Sequence, residues 1–561
     1  MKKKRILIIN EFSQLSTGFS TYMKYIIPLL HATGKYEIAE HATYCNKYHP
    51  LINTLPWKVY PNEPDQNNPQ ETNLYGQNRR ANQFGFWRFD EICLDFKPDI
   101  VIDIRDPWMC LEWIHRSPFR KNFKFIHMPT CDGEPQKSEW IDLYKQCDRI
   151  TTYSLWAKNL IEKQSGGQIS VFGVTSPGAD INEFAPLPDK VSTKKELGFP
   201  DNSFIIQTVM RNQPRKLYPD LFKAFVKFLE KCKTEGRDDL AQKTFLHCHT
   251  SFPDVGWDIP TELRRHGISH KVLFTYLCEN CKSYHVCPFS GDIAVCTKCK
   301  NAADKLPNTV TGLDKKDLAK VMGCADLYIQ YSICEGWGMP ISDAKSCGVP
   351  VMAVDYSAMT EQCYNGGGIP IKINRMFQEP LNQTNQLRAL PDIDDTASKM
   401  LAFFESSQDA RNKLGQEARE CMEKYYNWPI IAKVWEQALD TLDVPEQTST
   451  WFSPPKMIKP NLNVPQNLNN EQFVDYCYRY IVEEPWMVNS IMAQKIIASL
   501  NLGYEPGVNE EGFPIKQPID RNKVVQNLLN YVQQKNSFEQ YRYDKLMGNI
   551  NKTNRIIGVE I

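Results

Sequence analysis

Residues 335–351, EGWGMPISDAKSCGVPV, set Glu335 and Asp343 eight positions apart, with Gly336 and Gly338 between them. The first part reads as a strand-end loop in which two glycines allow a sharp turn. The segment 341–347 reads as the start of a helix. An acid in such a loop and a second in the helix behind it can face one crevice. That suits the grip on a polar, hydroxyl-rich ligand such as a nucleotide sugar. The alternative is a glycine-rich α/β loop whose acids carry no function.

Strand, loop and helix recur outward in both directions. Apolar runs at 4–10, 98–105, 123–129 and 148–154 read as buried strands of one series. A second series comprises 203–211, 244–250, 271–276 and 349–355, with a helix and strand in 318–332. The predicted fold class is α/β: two doubly wound, Rossmann-like domains facing a cleft. They span 1–187 and 188–442, with a small insert at 277–306 and a linker and mainly helical extension at 443–561. Residues 61–83, rich in Asn, Gln and Pro, read as a long polar loop, and 186–191 and 445–469 as linkers. Ligands of open parallel sheets bind beyond the carboxyl ends of the strands, where the unusual loops fall.

The 561 residues are 42% hydrophobic and carry 66 Lys+Arg against 66 Asp+Glu. That length exceeds a single core. A net charge of zero builds no long-range attraction to nucleic acid or anionic membrane into the whole molecule. MKKKRILIINEF does not read as a signal peptide, because its apolar run ends at Asn10 and Glu11. No run approaches the roughly 18 apolar residues of a membrane span. The expectation is a cytoplasmic protein (host cytoplasm for a viral source) whose 18 cysteines are mostly reduced and buried.

In MRNQPRK, Arg211 closes a strand and Lys216 follows five residues later. Two such cations can hold a diphosphate, whose charge grows as it leaves. A solvated charge cluster is the alternative, and Arg215 reads as the member that faces solvent. Gly18 in STGFS either brings backbone close to a ligand or serves a plain turn. His127, just ahead of Met128 and Pro129, ends a strand; its ring is either presented to the cleft or structural. Asp132 and Glu134, just beyond, carry no assigned role.

Taken together, these residues resemble the GT-B group of retaining glycosyltransferases, specifically family 4. The family's acid, glycine-aromatic-glycine turn, second acid and glycine-x-proline appear as Glu335, Gly336-Trp337-Gly338, Asp343 and Gly348-Val349-Pro350. SPGADINEF (176–184) and KYYNWPIIAKVWEQAL (424–439) are similar to its domain-closing segments, so the resemblance spans about residues 4–442. It implies that Glu335 contacts the transferred sugar and that Asp343, one methylene shorter than the usual glutamate, holds the ribose. It implies phosphate contacts from Arg211, Lys216 and the Gly18 loop, and a place near the sugar for His127. The donor it implies is a nucleotide sugar, a UDP-sugar by family frequency. A hexose or pentose would move with retention, the donor phosphate taking the acceptor's proton.

Cys278-x2-Cys281 and Cys296-x2-Cys299, fourteen residues apart, supply four thiolates for a tetrahedral structural Zn2+. An iron–sulfur site is the alternative. An insert of about 30 residues has too little core to fold unaided, and this one is expected at the cleft rim. The acceptor is a hydroxyl compound that the residues do not name. The alternatives are a hydroxymethylated base in DNA, a soluble glycan synthase or phosphorylase, and a non-catalytic zinc-braced scaffold. NRRANQFGFWRF (78–89) reads either as a stacking surface for a base or sugar or as an amphipathic helix with its aromatics in the core.

Overall fold

The computed structural model describes residues 3–117, 119–308, 311–380, 384–454, 456–508 and 514–546. The first sheet has seven strands: β1 (Lys4–Glu11), β2 (Tyr36–Thr43), β3 (Lys58–Pro61), β4 (Ile100–Asp103), β5 (Lys124–His127), β6 (Arg149–Thr152) and β7 (Val171–Val174). They are ordered β3-β2-β1-β4-β5-β6-β7 and are parallel throughout. Side-chain alternation sends Ile6, Ile8, Ile100, Ile102 and Ile126 into one core and Leu7, Ile9, Val101 and Phe125 into the other. Burial on both faces is why these strands read as continuous apolar runs.

The second sheet contains β8 (Phe204–Val209), β9 (Thr244–His249), β10 (Val272–Cys278), β11 (Tyr284–Pro288), β12 (Ala294–Val295), β13 (Ala302–Lys305), β14 (Leu327–Gln330), β15 (Val351–Val354) and β16 (Gly368–Ile371). Six of them form a parallel array in the order β10-β9-β8-β14-β15-β16. The insert adds β11 and β13 antiparallel to β10, and β12 antiparallel to β13.

The helix Trp428–Asp440 crosses back into the first domain. Its Trp428, Ile431, Trp435 and Leu439 join the first sheet's core. Trp435 Nε1 donates to Tyr22 Oη at 2.7 Å, and Lys4 Nζ donates to Leu439 O at 2.6 Å. The region 445–469, expected to be a linker, is anchored as well: Trp451 is fully buried and its Nε1 donates to Pro98 O at 3.0 Å. Pro98 precedes β4 at the end of the sheet opposite the cleft. Phe538 of the helix Arg521–Leu546 packs edge-on against Phe119 there, which holds the carboxy-terminal unit at the back of the first domain. That unit is mainly helical with one hairpin, β19 (Tyr504–Val508) against β20 (Pro514–Pro518); an earlier hairpin pairs β17 (Ile373–Gln378) with β18 (Leu387–Pro391).

Two local expectations are corrected. Within 61–83 lie helices Pro69–Gln77 and Arg79–Asn82. The first buries no residue, so apolar periodicity is silent; its signal is the Asn68 cap, which accepts from Gln70 N and Glu71 N, followed by Pro69. A helix also begins at Lys190 inside the expected linker 186–191, capped by Asp189. In 78–89 the amphipathic-helix alternative holds: Phe84 and Phe89 are buried, and Arg88 pairs with Glu71 at 2.5 Å.

Candidate active site

From β8 the chain moves outward through β9 and β10, then returns to β14 on the other side of β8. The strand order therefore reverses between β8 and β14, the place where ligands of open parallel sheets bind, at the carboxyl ends of the strands. The loops after these two strands are zipped by backbone: Leu217 N donates to Tyr331 O and Ile333 N to Arg215 O, both at 3.1 Å. This pairing brings Lys216 beside Glu335.

Glu335 is the centre of the cluster, 6% exposed. Its Oε1 accepts from Lys216 Nζ, from Ser332 Oγ at 2.6 Å and from Gln330 Nε2 at 2.7 Å. Its Oε2 accepts from Arg215 Nη1 at 3.0 Å. Ser357, at φ +53°, bonds the Glu335 backbone in both directions at 3.0 Å. Burial alone would raise the Glu335 carboxyl; Arg215 and Lys216 overcome it and hold the group well below the usual carboxylate range. Burial pulls Lys216 down to about 8 against the opposing pull of Glu335.

The neighbouring cations are arranged differently from expectation. Arg211 makes a bidentate pair with Asp254, 2.9 Å at both contacts, and is not drawn to Glu335. Arg215, expected to face solvent, is the arginine on Glu335. Its neighbours across the strand order, Ser332 and Gln330, were not legible as ligands of the acid.

Asp343 lies on the helix Met339–Ser346, which starts from Gly338 at φ +87° with Pro340 in the first turn. Burial pushes its carboxyl up to about 7; Lys315 counters this and Asp180 adds to it. Lys315 Nζ donates to Tyr25 Oη at 2.6 Å and Tyr25 Oη to Asp180 Oδ2 at 2.9 Å, which ties the first domain to this rim. Gly18 faces the start of the same helix: a Cβ there would stand 3.5 Å from Met339 Cε. At Gly336 a Cβ would stand 2.7 Å from Thr130 Cγ2, so the domains touch where Glu335 enters the cleft.

His127 is not brought to this cluster. It is fully buried on β5, its Nδ1 is 3.0 Å from Asp103 O, and its Nε2 has no partner. The ring lies 5.8 Å from Phe125 and 5.9 Å from Tyr144, in the core beneath the strand ends. Being the last residue of the strand, it keeps the strand's alternation and points into the helix layer, one residue short of the loop. The first domain instead offers Asp106, Thr130 and Asp132. Cys334 Sγ is 3.4 Å from Asp132 Oδ2. Arg388 of β18 donates to Asp132 Oδ1 at 2.9 Å and to Asp132 O at 3.0 Å, and Leu387 N donates to Glu134 O at 2.6 Å. The β17–β18 hairpin thus fastens the loop that carries Asp132.

The four insert cysteines converge. Their sulfurs all lie within 4.8 Å of one another, with Cys278–Cys299 at 3.6 Å and Cys281–Cys296 at 3.7 Å. A tetrahedral ion with metal–sulfur bonds of about 2.3 Å requires edges of roughly 3.8 Å, so the four thiolates fit a metal. The residue after each pair repeats the same turn, Lys282 at φ +57° and Lys300 at φ +62°. Tyr284 Oη donates to Asp317 Oδ1 at 2.8 Å and fastens the insert to the helix Lys315–Gly323.

Residues 308–420 match the family model for glycosyl transferases group 1. No curated protein matches the chain. Among solved structures, sucrose-phosphate synthase from Thermosynechococcus elongatus is similar at TM-score 0.55 and 15% identity, over 78% of this chain and 98% of that one. Anabaena HepE in complex with UDP and glucose is similar at 0.53 and 13%, over 78% and 100%. An Escherichia coli trehalose-6-phosphate protein bound with UDP-2-fluoro glucose is similar at 0.52 and 13%, over 79% and 100%. The chain has the two-domain GT-B fold of these proteins.

Proposed function

We propose that the chain is a retaining, family 4-like glycosyltransferase that moves a hexose or pentose from a nucleotide sugar, by default a UDP-sugar, to a hydroxyl acceptor. The observation that carries this reading is the buried Glu335–Lys216 pair, with the half-exposed Arg215 on its outer side, at the point where the second sheet reverses its strand order. The likeness to HepE with UDP and glucose supports the donor class. The domains are 1–187 and 188–442, with the helix Trp428–Asp440 packed on the first.

In this reading Lys216 and Arg211 hold the diphosphate, and Arg211 exchanges its Asp254 partner for phosphate oxygens. Asp343 holds the ribose, and Gly18, Gly336 and Gly338 let backbone approach the donor. Glu335 contacts the transferred sugar and neutralises the two cations until donor arrives. The bond from the anomeric carbon to the diphosphate breaks with its electron pair on phosphate, where fixed cations stabilise it. The acceptor oxygen bonds the anomeric carbon and its proton passes to the departing phosphate oxygen. His127 acts from beneath, fixing the β5 end through Asp103 O. Cys278, Cys281, Cys296 and Cys299 hold a structural Zn2+, a closed four-thiolate shell that supplies no open position for catalysis. All 18 cysteines are unbridged, which supports a cytoplasmic setting.

The test is mass-spectrometric turnover of UDP-, GDP- and ADP-sugars. Release of one nucleotide with saturation supports the reading; a protein that binds and cleaves none of them supports the non-catalytic scaffold.

A further inference from the structure

The strand β18 belongs to the second domain but bonds to both. Ala389 N donates to Ile333 O at 3.0 Å, two residues before Glu335. Leu387 N donates to Glu134 O of the first domain at 2.6 Å, and Gln386 Nε2 donates to Gly133 O at 2.8 Å. Arg388 lies between, its side chain 3% exposed. Its Nη2 donates to Thr384 Oγ1 at 3.1 Å and to Gln386 Oε1 at 3.2 Å, and its Nε lies 3.0 Å from Glu379 Oε2. The guanidinium is thus fixed from within the second domain. It reaches the first through Nη1, which donates to Asp132 Oδ1 at 2.9 Å and to Asp132 O at 3.0 Å. The other carboxylate oxygen, Asp132 Oδ2, accepts from Cys334 Sγ at 3.4 Å, and Cys334 is the residue before Glu335. One first-domain carboxylate therefore joins β18 to the Glu335 loop.

Two further features fit this contact. A Cβ at Gly133 would collide with Arg388 Nη1, so the guanidinium enters only because that position has no side chain. The first-domain loop is also rigidly held from behind: Gln136 Nε2 donates to Gly133 O at 2.7 Å, and Tyr144 Oη donates to Gln136 Oε1 at 3.0 Å. A shift of the first domain is passed to Asp132 rather than absorbed by its loop.

Resting on the glycosyltransferase reading above, we infer that Arg388 and Asp132 form a clasp between the domains, and that Arg388 is a positioning residue acting on Glu335 through Asp132 and Cys334. Lys216, Arg211 and Asp343, the donor contacts of that reading, all lie on the second domain, so the nucleotide binds without the clasp. Transfer needs the sugar on one domain aligned with an acceptor on the other, and a misplacement of about 1 Å can cost about 100-fold in rate. A planar guanidinium can hold Asp132 twice while Thr384 and Gln386 hold it in turn; an ammonium cannot fill all four contacts.

The experiment compares full-length wild type with Arg388→Gln, Arg388→Lys, Asp132→Asn and Gly133→Ala. Gly133→Ala displaces the guanidinium with one methyl group and removes no charge, so it tests the clasp even where Arg388→Gln does not fold. Small-angle X-ray scattering without donor reads the domain arrangement. Calorimetry and transfer kinetics use whichever of UDP-, GDP- or ADP-glucose the wild type cleaves. The inference expects Arg388→Gln and Gly133→Ala to lower kcat about 10- to 100-fold, with donor Kd within about twofold of wild type and a larger radius of gyration. Arg388→Lys should fall between them and wild type. The double variant of Arg388→Gln and Asp132→Asn should lose no more than the worse single variant, because both act on one contact. Wild-type kcat in folded Gly133→Ala or Arg388→Gln overturns the inference. So do a donor Kd that weakens in step with kcat, an unchanged radius of gyration, or strictly additive losses. Wild-type protein that neither binds nor cleaves any donor refutes the underlying reading instead, and the scattering then decides the clasp by itself.

Discussion

Replacing Glu335 by glutamine removes the single anion that compensates two cations. The two contacts are not equal. The Arg215 side chain is 40% exposed, so its pair with Glu335 is discounted to the range of a surface ion pair, up to about 1 kcal/mol. The Lys216 side chain is 8% exposed, and without Glu335 its remaining bond is to Ser332 Oγ at 3.4 Å. Breaking a buried pair by removing one partner costs about 3–5 kcal/mol, and the buried contact decides the size of the effect. For a domain of this size each kcal/mol lowers the melting temperature by about 2–4 °C, so Glu335→Gln should lower the second domain's transition by roughly 6–20 °C. The second half of a double-mutant cycle is Lys216→Met, which removes the stranded ammonium while keeping the length of the chain. The double variant should recover most of the loss, because replacing a whole buried pair by apolar groups is near neutral. Differential scanning calorimetry without donor reads both. A single-variant loss below about 1 kcal/mol, or strictly additive losses, would show that the cluster is held like a surface pair and that the burial argument is wrong.

Three further outcomes follow from other parts of the molecule. Metal analysis should find one zinc per chain; Co2+ replacement should give a tetrahedral thiolate spectrum, and Cys281→Ser should abolish both, with metal content unchanged by Cys281→Ser refuting the four-cysteine site. The Asp343 carboxyl is raised to about 7, so between about 4 and 7 the folded state keeps a proton that the unfolded chain has lost, and the stability this confers is lost as pH rises through 7. Melting temperatures of wild type and Asp343→Asn should therefore diverge from pH 5 to pH 8, with wild type falling relative to the variant; parallel curves would remove Asp343 as the source. Trp451→Ala empties a fully buried indole site and should cost about 3–5 kcal/mol, with new proteolytic cleavage in 443–469 and no change in donor Kd; unaltered cleavage would mean the segment is anchored elsewhere.

Much of the molecule was legible in the chain because its signals are local. Strands buried on both faces appear as unbroken apolar runs, so residues 6–9 and 349–355 announced themselves. The turn at Gly338 needs φ +87°, which glycine accepts freely, and the CxxC pairs carry their metal geometry in their spacing. The helix at 69–77 was hidden because it buries no residue; only its Asn68 cap marked it. What the tertiary structure alone decided is which side chains meet. Lys216 and Glu335 are 119 positions apart and pair because β8 and β14 are adjacent, which depends on the order in which the chain crosses the sheet. The same order turned Arg215 onto Glu335 and left Arg211 with Asp254, although the local sequence singles out Arg211 at its strand end and leaves Arg215 to solvent. His127 went inward for a comparable reason. A side chain's exposure at a strand end is set by the last alternation of the strand and by what packs across it, and both are properties of the assembled sheet rather than of the residues around it.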